Sequence, residues 1–283
     1  MKIKSAAIIP HLKNHKFPYI LIFAALLFSI PVLIDLVKDW LYDDNYSHGF
    51  LIIPISIYLF YRKRNELIFP AKHSNLGTIL FAIGCIGTIF GAAAGEYFTA
   101  RCSMVLIITG ISLYYLGLSN FKKVWFAFFF LLFMIPIPAI IYYSATLPMQ
   151  LFASKAASFI LHIIGVPSLR QGNIIYLPEY ALEVTEACSG LRSLSTLLAL
   201  GALYGNLALP GKVRPIIIFI SAVPIAIAGN VFRLLFTAIG AYAISTELAE
   251  DFLHELSGML VFVFAMIVLL ILGALLKWPG KRS

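Results

Sequence analysis

The sequence predicts an all-α membrane protein that crosses the bilayer several times. Of its 283 residues, 61% are hydrophobic and only 12% are charged, whereas soluble domains carry about 25% charged residues. The apolar residues form repeated runs that approach the roughly 20 residues needed to span a bilayer. The net charge of +8 is best explained by Lys and Arg in cytoplasmic loops. Nucleic acid is not an expected partner, because no basic run is interleaved with aromatic residues on a soluble domain. We expect one integral membrane domain over residues 1–283.

About eight apolar runs are predicted to be transmembrane helices. They cover residues 18–37, 49–61, 76–94, 99–118, 124–143, 190–207, 215–244 and 257–276. The second run is short and is expected to extend outward past His48. Pro136 and Pro138 interrupt the fifth run. Because proline removes a helical hydrogen bond, the outer end of that run is expected to be kinked or re-entrant.

The charges of the loops predict the orientation. With a cytoplasmic N-terminus, 15 of the 21 Lys and Arg residues fall on the cytoplasmic side, together with only one of the 13 acidic residues, Glu66. This positive-inside bias places both termini in the cytoplasm. It also places the acidic segments 39–44 and 247–251 at the outer face.

Residues 144–187 are predicted to form an insert on the outer face. If residues 144–165 crossed the bilayer, Lys155 would lie near its centre, at a cost of roughly 2.5–3.5 kcal/mol. A crossing there would also invert every later loop. We therefore expect an amphipathic helix that lies on the outer surface.

The rest of the insert is predicted to be a small β-hairpin. Residues 174–177 and 182–185 are short β-prone runs, and Pro178, Glu179 and Tyr180 separate them. The hairpin is expected to lead directly into Cys188.

Cys188, Arg233 and His254 are predicted to lie at one membrane face. Cys188 precedes the sixth predicted helix, which runs inward, so its thiol is expected at the outer boundary, where it can ionise. Arg233 follows Pro215 by 18 residues, or roughly 27 Å of helix, which is close to the hydrocarbon thickness. His254 ends the acidic outer loop just before the eighth predicted helix.

These three residue types suit nucleophilic catalysis. A cysteine attacks as its thiolate, and an imidazole can accept the thiol proton and return it to a leaving amine. Arginine stays protonated, so Arg233 can stabilise a thiolate or an oxyanion but cannot act as a base. Asn230, three residues earlier on the same helical face, could add a hydrogen-bond donor. Ser189 allows close backbone approach at a helix N-terminus, where the helix dipole favours a thiolate.

Other interpretations of these residues stay open. An interfacial cysteine is often inert, an arginine near a helix end can extend to the interface, and His254 can be a loop residue or a cap. Arg192 is either a cation of the site or a structural partner of Glu186. His48 is an alternative base, a substrate-positioning residue or a capping residue.

No metal or disulfide framework is predicted. The chain has three cysteines, and no clustered Cys or His spacing is typical of a metal site. Cys85 and Cys102 lie in apolar runs and are expected to be small buried hydrophobes. No cofactor is expected.

Several motifs resemble the exosortase/archaeosortase family of membrane cysteine transpeptidases. They are Tyr46-Ser47-His48-Gly49-Phe50, Gly172-Asn173-Ile174-Ile175, Glu186-Ala187-Cys188-Ser189-Gly190-Leu191-Arg192-Ser193-Leu194, Pro224, Asn230-Val231-Phe232-Arg233, and His254 with Gly258. The resemblance extends from about Asp39 to Gly258.

The resemblance implies that Cys188 is the nucleophile, Arg233 the transition-state stabiliser and His254 the acid/base. It implies exported substrates with a C-terminal sorting signal of the Pro-Glu-Pro type, namely a short motif, a membrane helix and a basic tail. A thioester would carry the cleaved protein to an unidentified acceptor. The implied location is the cytoplasmic (inner) membrane, where the protein is surrounded by lipid. The active site would lie on the outer, periplasmic face of that membrane. Some family members carry a further C-terminal periplasmic domain, and this chain is expected to be a core-only form.

Two other functions remain as alternatives. One is a non-enzymatic permease or assembly subunit for exopolysaccharide export, in which polar residues would be distributed through the bilayer depth. The other is an endoprotease that uses water as the acceptor.

Overall fold

The computed structural model describes residues 16–69, 71–184, 191–243 and 252–277, and gives residues 16–18, 20–21, 191–192 and 252–257 as backbone only. These residues are mostly helical. Their α-helices are α1 Lys16–Tyr42, α2 Gly49–Lys63, α3 Asn75–Ala94, α4 Tyr97–Phe130, α5 Ala139–Ile163, α6 Leu191–Ala208, α7 Val213–Ala243 and α8 Phe252–Lys277. The strands are β1 Leu169–Gln171, β2 Ile174–Tyr176 and β3 Ala181–Glu183, and 3₁₀ turns cover Arg64–Glu66 and Leu131–Met134.

Four helical stretches are long and apolar enough to cross a membrane. They are Asn75–Ala94, Tyr97–Met134, Val213–Ala243 and Gly258–Lys277, and Ser193–Ala208 is a shorter apolar helix. The chain is therefore a helical membrane protein with several apolar helices. Helices also occupy the other predicted positions, but the described parts of α1, α2 and α6 do not meet this criterion of length and composition.

The chain divides into two compact units, Met1–Ile137 and Pro138–Ser283. In the first unit, α3 packs closely against the first part of α4. A Cβ atom on Gly77 would overlap the backbone of Tyr114, and one on Gly91 would lie 2.7 Å from the backbone nitrogen of Ala100. The two helices are therefore antiparallel, and small residues let their backbones approach, as is common between membrane helices.

The chain reverses its direction inside α4, at Gly117. Gly117 has φ +69° and ψ 161°, a conformation essentially restricted to glycine. Near the start of α4, Arg101 Nη2 lies 2.7 Å from Asp39 Oδ2. After the end of α4, the carbonyl of Met134 accepts a hydrogen bond of 2.9 Å from Trp40 Nε1. Both ends of this helical stretch thus lie beside the C-terminal end of α1.

The predicted boundaries of the fifth helix are therefore wrong, whereas those of the fourth agree within two residues. The first limb of α4 begins at Tyr97 and ends at the turn at Gly117, and the second limb ends with the 3₁₀ turn at Met134 instead of residue 143. The predicted break at Pro136 and Pro138 is confirmed, because α5 begins at Ala139, directly after Pro138.

Helix α5 in the second unit covers most of the predicted amphipathic helix and begins five residues earlier. It buries small and polar side chains, among them Gln150 and Ser154. Most of its large apolar side chains are exposed, including Phe152 and Phe159, and Lys155 is exposed between them, whereas Leu161 is buried. An apolar outer face suits contact with lipid.

The predicted hairpin is present as β2 and β3, with Ile175 opposite Leu182. A further strand, β1, pairs with β2 and makes a three-stranded antiparallel sheet. Ile175, Leu182 and Val184 are buried in one cluster with Leu161 of α5 and Leu234 of α7. The sheet is thereby fixed against the C-terminal half of α7.

Candidate active site

Helix α7 is the central element of the candidate site. Its N-terminal half shares a buried cluster with both neighbouring helices, in which Ala222 and Ala226 accompany Leu197 of α6 and Ala265 and Leu269 of α8. The strongly apolar sequence of α7 fits this position. Its C-terminal half contacts α5 and the sheet, as described above, and remains in contact with α8.

Helix α6 begins at about the level of Asn230. Gly201 of α6 lies against Phe219 and Ala222 of α7, and Gly205 lies against Pro215, so the two helices are antiparallel. From Leu197 to the first residue of α6 is six residues, or about 9 Å along the axis, and from Ala226 to Asn230 is about 6 Å. The backbone that follows Ser189 and Gly190 therefore enters its helix near Asn230.

Helix α8 begins beyond the level of Arg233, at the same end of α7. Gly229 of α7 lies against Val261 and Ala265, and the rings of Phe232 and Phe264 stack with their centroids 5.0 Å apart. The helices are antiparallel, since Ala226 and Leu269 share the cluster nearer the other end. Counted from Gly229 and Val261, the backbone of His254 lies roughly 5 Å beyond that of Arg233 along the helix axis, and counted from the Phe232–Phe264 pair it lies roughly 13 Å beyond it.

Asn230 has an unusual environment. Its side chain is 2% exposed, and its Nδ2 makes no hydrogen bond with any of the described residues. A buried amide donor without a partner is unfavourable by about 1–3 kcal/mol. Arg233, one turn later, is half-buried. These two polar groups continue the row of Ala222 and Ala226 along α7.

Several predicted site residues lie outside the described part of the chain. Glu186, Cys188 and Ser189 belong to the segment 185–190, which is not described. Arg192 and His254 are described only as backbone, in the first turns of α6 and α8. The proposed roles of these side chains stay predictions.

His48 belongs to the first unit and occupies the N-cap position of α2. Its side chain makes no capping hydrogen bond, so a capping role is not supported. Burial lowers the pKa of His48, and hydrogen bonds to the backbone carbonyls of Phe133 and Asn45 act in the opposite direction. The His48 ring thus links the start of α2 to the end of the helical stretch that follows Gly117.

The sequence analysis missed the ion pair between Asp39 and Arg101. Arg101 is only 6% exposed, and its guanidinium carbon lies 5.6 Å from the centre of the Tyr97 ring. A signal was available, because the predicted topology places the end of the first helix and the start of the fourth helix at the same face. The pair joins α1 to α4 at the end of the unit where His48 lies.

The comparison with protein families identifies the chain. The family described as transmembrane exosortase matches residues 40–271. This range contains α2–α7, the sheet and most of α8. No curated protein and no solved structure matches the chain. The family match covers most of the sequence, and the chain belongs to the transmembrane exosortase family.

Proposed function

We propose that this protein is a cysteine transpeptidase that cleaves the C-terminal sorting signal of exported proteins. Cys188 is the nucleophile, Arg233 stabilises the transition state and His254 transfers protons. The observation that carries the proposal is the packing of α6 and α8 on α7. It brings the start of α6, Asn230 with Arg233, and the start of α8 to one end of the second unit.

The length of the chain supports the position of the nucleophile. Cys188 precedes the first residue of α6 by three residues, which span at most about 11 Å. On its other side, Val184 is buried against α7 in the same cluster as Leu234. The short link between these two fixed points limits how far Cys188 can lie from Arg233.

The reaction proceeds through two acyl transfers. The thiolate of Cys188 attacks the scissile carbonyl, and Arg233 and the Asn230 amide stabilise the oxyanion that forms. The C–N bond then breaks, and the imidazolium of His254 protonates the leaving amine, which leaves a thioester. An acceptor nucleophile gives its proton to the imidazole, attacks the thioester and releases the thiol.

The substrate and the membrane arrangement follow from the family and the charge pattern. The substrate is an exported protein with a short C-terminal motif, a membrane helix and a basic tail. The basic loops favour cytoplasmic termini, eight crossings and an outer active site in the cytoplasmic membrane. The return of the chain at Gly117 supports two crossings in Tyr97–Met134, because 38 residues of helix would measure about 57 Å.

Co-expression with a tailed substrate tests the proposal. Cys188→Ala should abolish cleavage while the protein remains inserted at wild-type level, because the nucleophile is lost. Cys102→Ala is the matched control, since Cys102 is half-buried in α4, and it should cleave normally. Undiminished cleavage by Cys188→Ala would exclude the proposed mechanism.

The identity of the product separates transpeptidation from hydrolysis. An acceptor adds its mass to the new C-terminus, whereas water leaves a free carboxylate. Mass spectrometry of the released protein distinguishes the two, and a free carboxylate alone would identify an endoprotease.

The buried polar residues of the first unit do not favour the permease alternative. The hydroxyls of Ser29 and Thr88 donate to carbonyls four residues earlier in their own helices, and Ser56 donates to the carbonyl of Ala127. These hydroxyl groups are used in hydrogen bonds to helix carbonyl groups, so they do not form a binding path for a transported molecule.

A further inference from the structure

A basic cavity lies at the end of the first unit opposite the Asp39–Arg101 pair. It has a volume of about 480 Å³, and its lining includes Lys72, His73, Ser119 and Lys123. The cavity lies where α2 has ended, α3 begins and the chain turns at Gly117. The sequence predicts that this end faces the cytoplasm.

Two sets of contacts hold the walls of the cavity in place: hydrogen bonds from a buried side chain to the backbone, and a close approach between two backbone segments. The side chain of Asn120 is 3% exposed. Its Nδ2 donates to the carbonyl of Ile68 at 2.8 Å, and its Oδ1 accepts from the Ile68 amide at 2.9 Å. On the other wall, a Cβ atom on Gly117 would overlap the carbonyl oxygen of Lys72. The cavity is therefore formed before a ligand binds.

The charge around the cavity is strongly positive. Residues 62–75 and 114–124 contain six Lys or Arg side chains and one carboxylate, that of Glu66. Glu66 pairs with Lys63 at 2.6 Å. Lys123 Nζ donates to the backbone carbonyl of Glu66 at 2.6 Å, which leaves its charge in place. An anionic ligand complements this excess.

The surroundings of the cavity are apolar and aromatic. Ile68 and Leu118, which line the cavity, are 70% and 46% exposed. The ring of Tyr114 stacks on His73 with centroids 4.7 Å apart. Trp and Tyr are enriched at membrane interfaces, and exposed aliphatic side chains beside a basic cavity suit a ligand with a charged head and an apolar tail.

We propose that this cavity binds the phosphate headgroup of an anionic phospholipid, with its acyl chains along the exposed apolar residues next to the cavity. Lys72 and Lys123 contact the headgroup as cations. Basic pockets between membrane helices on the cytoplasmic side bind such headgroups in other proteins. The inference is independent of the proposed cleavage reaction.

Native mass spectrometry of the full-length protein in mixed lipid tests this site. Phosphatidylglycerol is titrated against phosphatidylcholine, for the wild type and for Lys72→Gln/Lys123→Gln. We expect phosphatidylglycerol to bind preferentially to the wild type and roughly 30-fold more weakly to the double variant. Lys212→Gln/Arg214→Gln removes the same charge from another loop with the same predicted orientation and should leave binding unchanged.

Two further measurements make the outcome decisive. Lys72→Gln alone keeps the hydrogen bond of Lys123 and should still weaken binding about fivefold. Inorganic phosphate added at millimolar concentration should not displace the lipid. Equal binding by the wild type and both cavity variants, or displacement by inorganic phosphate, would overturn the proposal.

Discussion

Replacing Asn230 by leucine should raise the stability of the protein and lower its cleavage activity. In Asn230→Leu, a side chain of similar size replaces a buried amide whose Nδ2 has no partner among the described residues. Removing that unpaired donor should stabilise the protein by about 1–3 kcal/mol, or raise the melting temperature by roughly 2–4 °C for each kcal/mol. If the amide stabilises the oxyanion, cleavage should fall by about 10²–10³-fold. Thermal unfolding in detergent and cleavage of a tailed substrate measure the two effects.

Asn120 provides the matched control. It is buried to the same degree as Asn230, but both polar atoms of its side-chain amide form hydrogen bonds with the backbone of Ile68. Asn120→Leu leaves that backbone unpaired, so it should destabilise the protein by about 1–3 kcal/mol and leave cleavage intact. The reasoning fails if Asn230→Leu is also destabilised and cleaves at the wild-type rate, because the amide would then be structural.

Three further predictions follow from single residues. Arg233→Gln should lower the cleavage rate by about 10²–10³-fold, and Arg233→Lys should restore only part of it, because lysine lacks the planar fork; equal rates for all three proteins would exclude the role. Gly117→Ala should lower the melting temperature more than Gly95→Ala, since both have positive φ but only Gly117 has a backbone atom in the way. The lowered pKa of His48 means that the unfolded chain binds the proton more readily, so stability should decline as pH falls below about 6.5; His48→Gln should weaken this decline in pH-dependent thermal unfolding.

The positions of most helices could be predicted because apolar length is a strong signal. The turn at Gly117 was predicted a few residues too late, because the predicted loop covered residues 119–123. That loop contains Lys122 and Lys123, and charge indicates which residues meet water. The reversal depends instead on the backbone conformation of one glycine and on the close approach of Lys72. Hydropathy does not record either feature.

The sheet shows a similar division. Two β-prone runs, the second with alternating apolar and polar residues, predicted β2 and β3, in which the side chains of Ile175 and Leu182 are buried. Strand β1 was missed, because neither Leu169 nor Gln171 is buried and the strand is defined by its backbone pairing with β2. Residues without a buried face leave little pattern in the sequence.

The agreement in height between Asn230, Arg233 and the start of α6 has a physical origin in one row of α7. Where α6 and α8 pack against this helix, the row consists of Ala222 and Ala226, because close packing requires small side chains. At the level where α6 begins, the same row changes to Asn230 and Arg233. At this level Asn230 is still buried, whereas Arg233, further along the row, is half-buried. The polar part of the row thus begins where α6 begins, and the segment that carries Cys188 is attached to the chain at that same level.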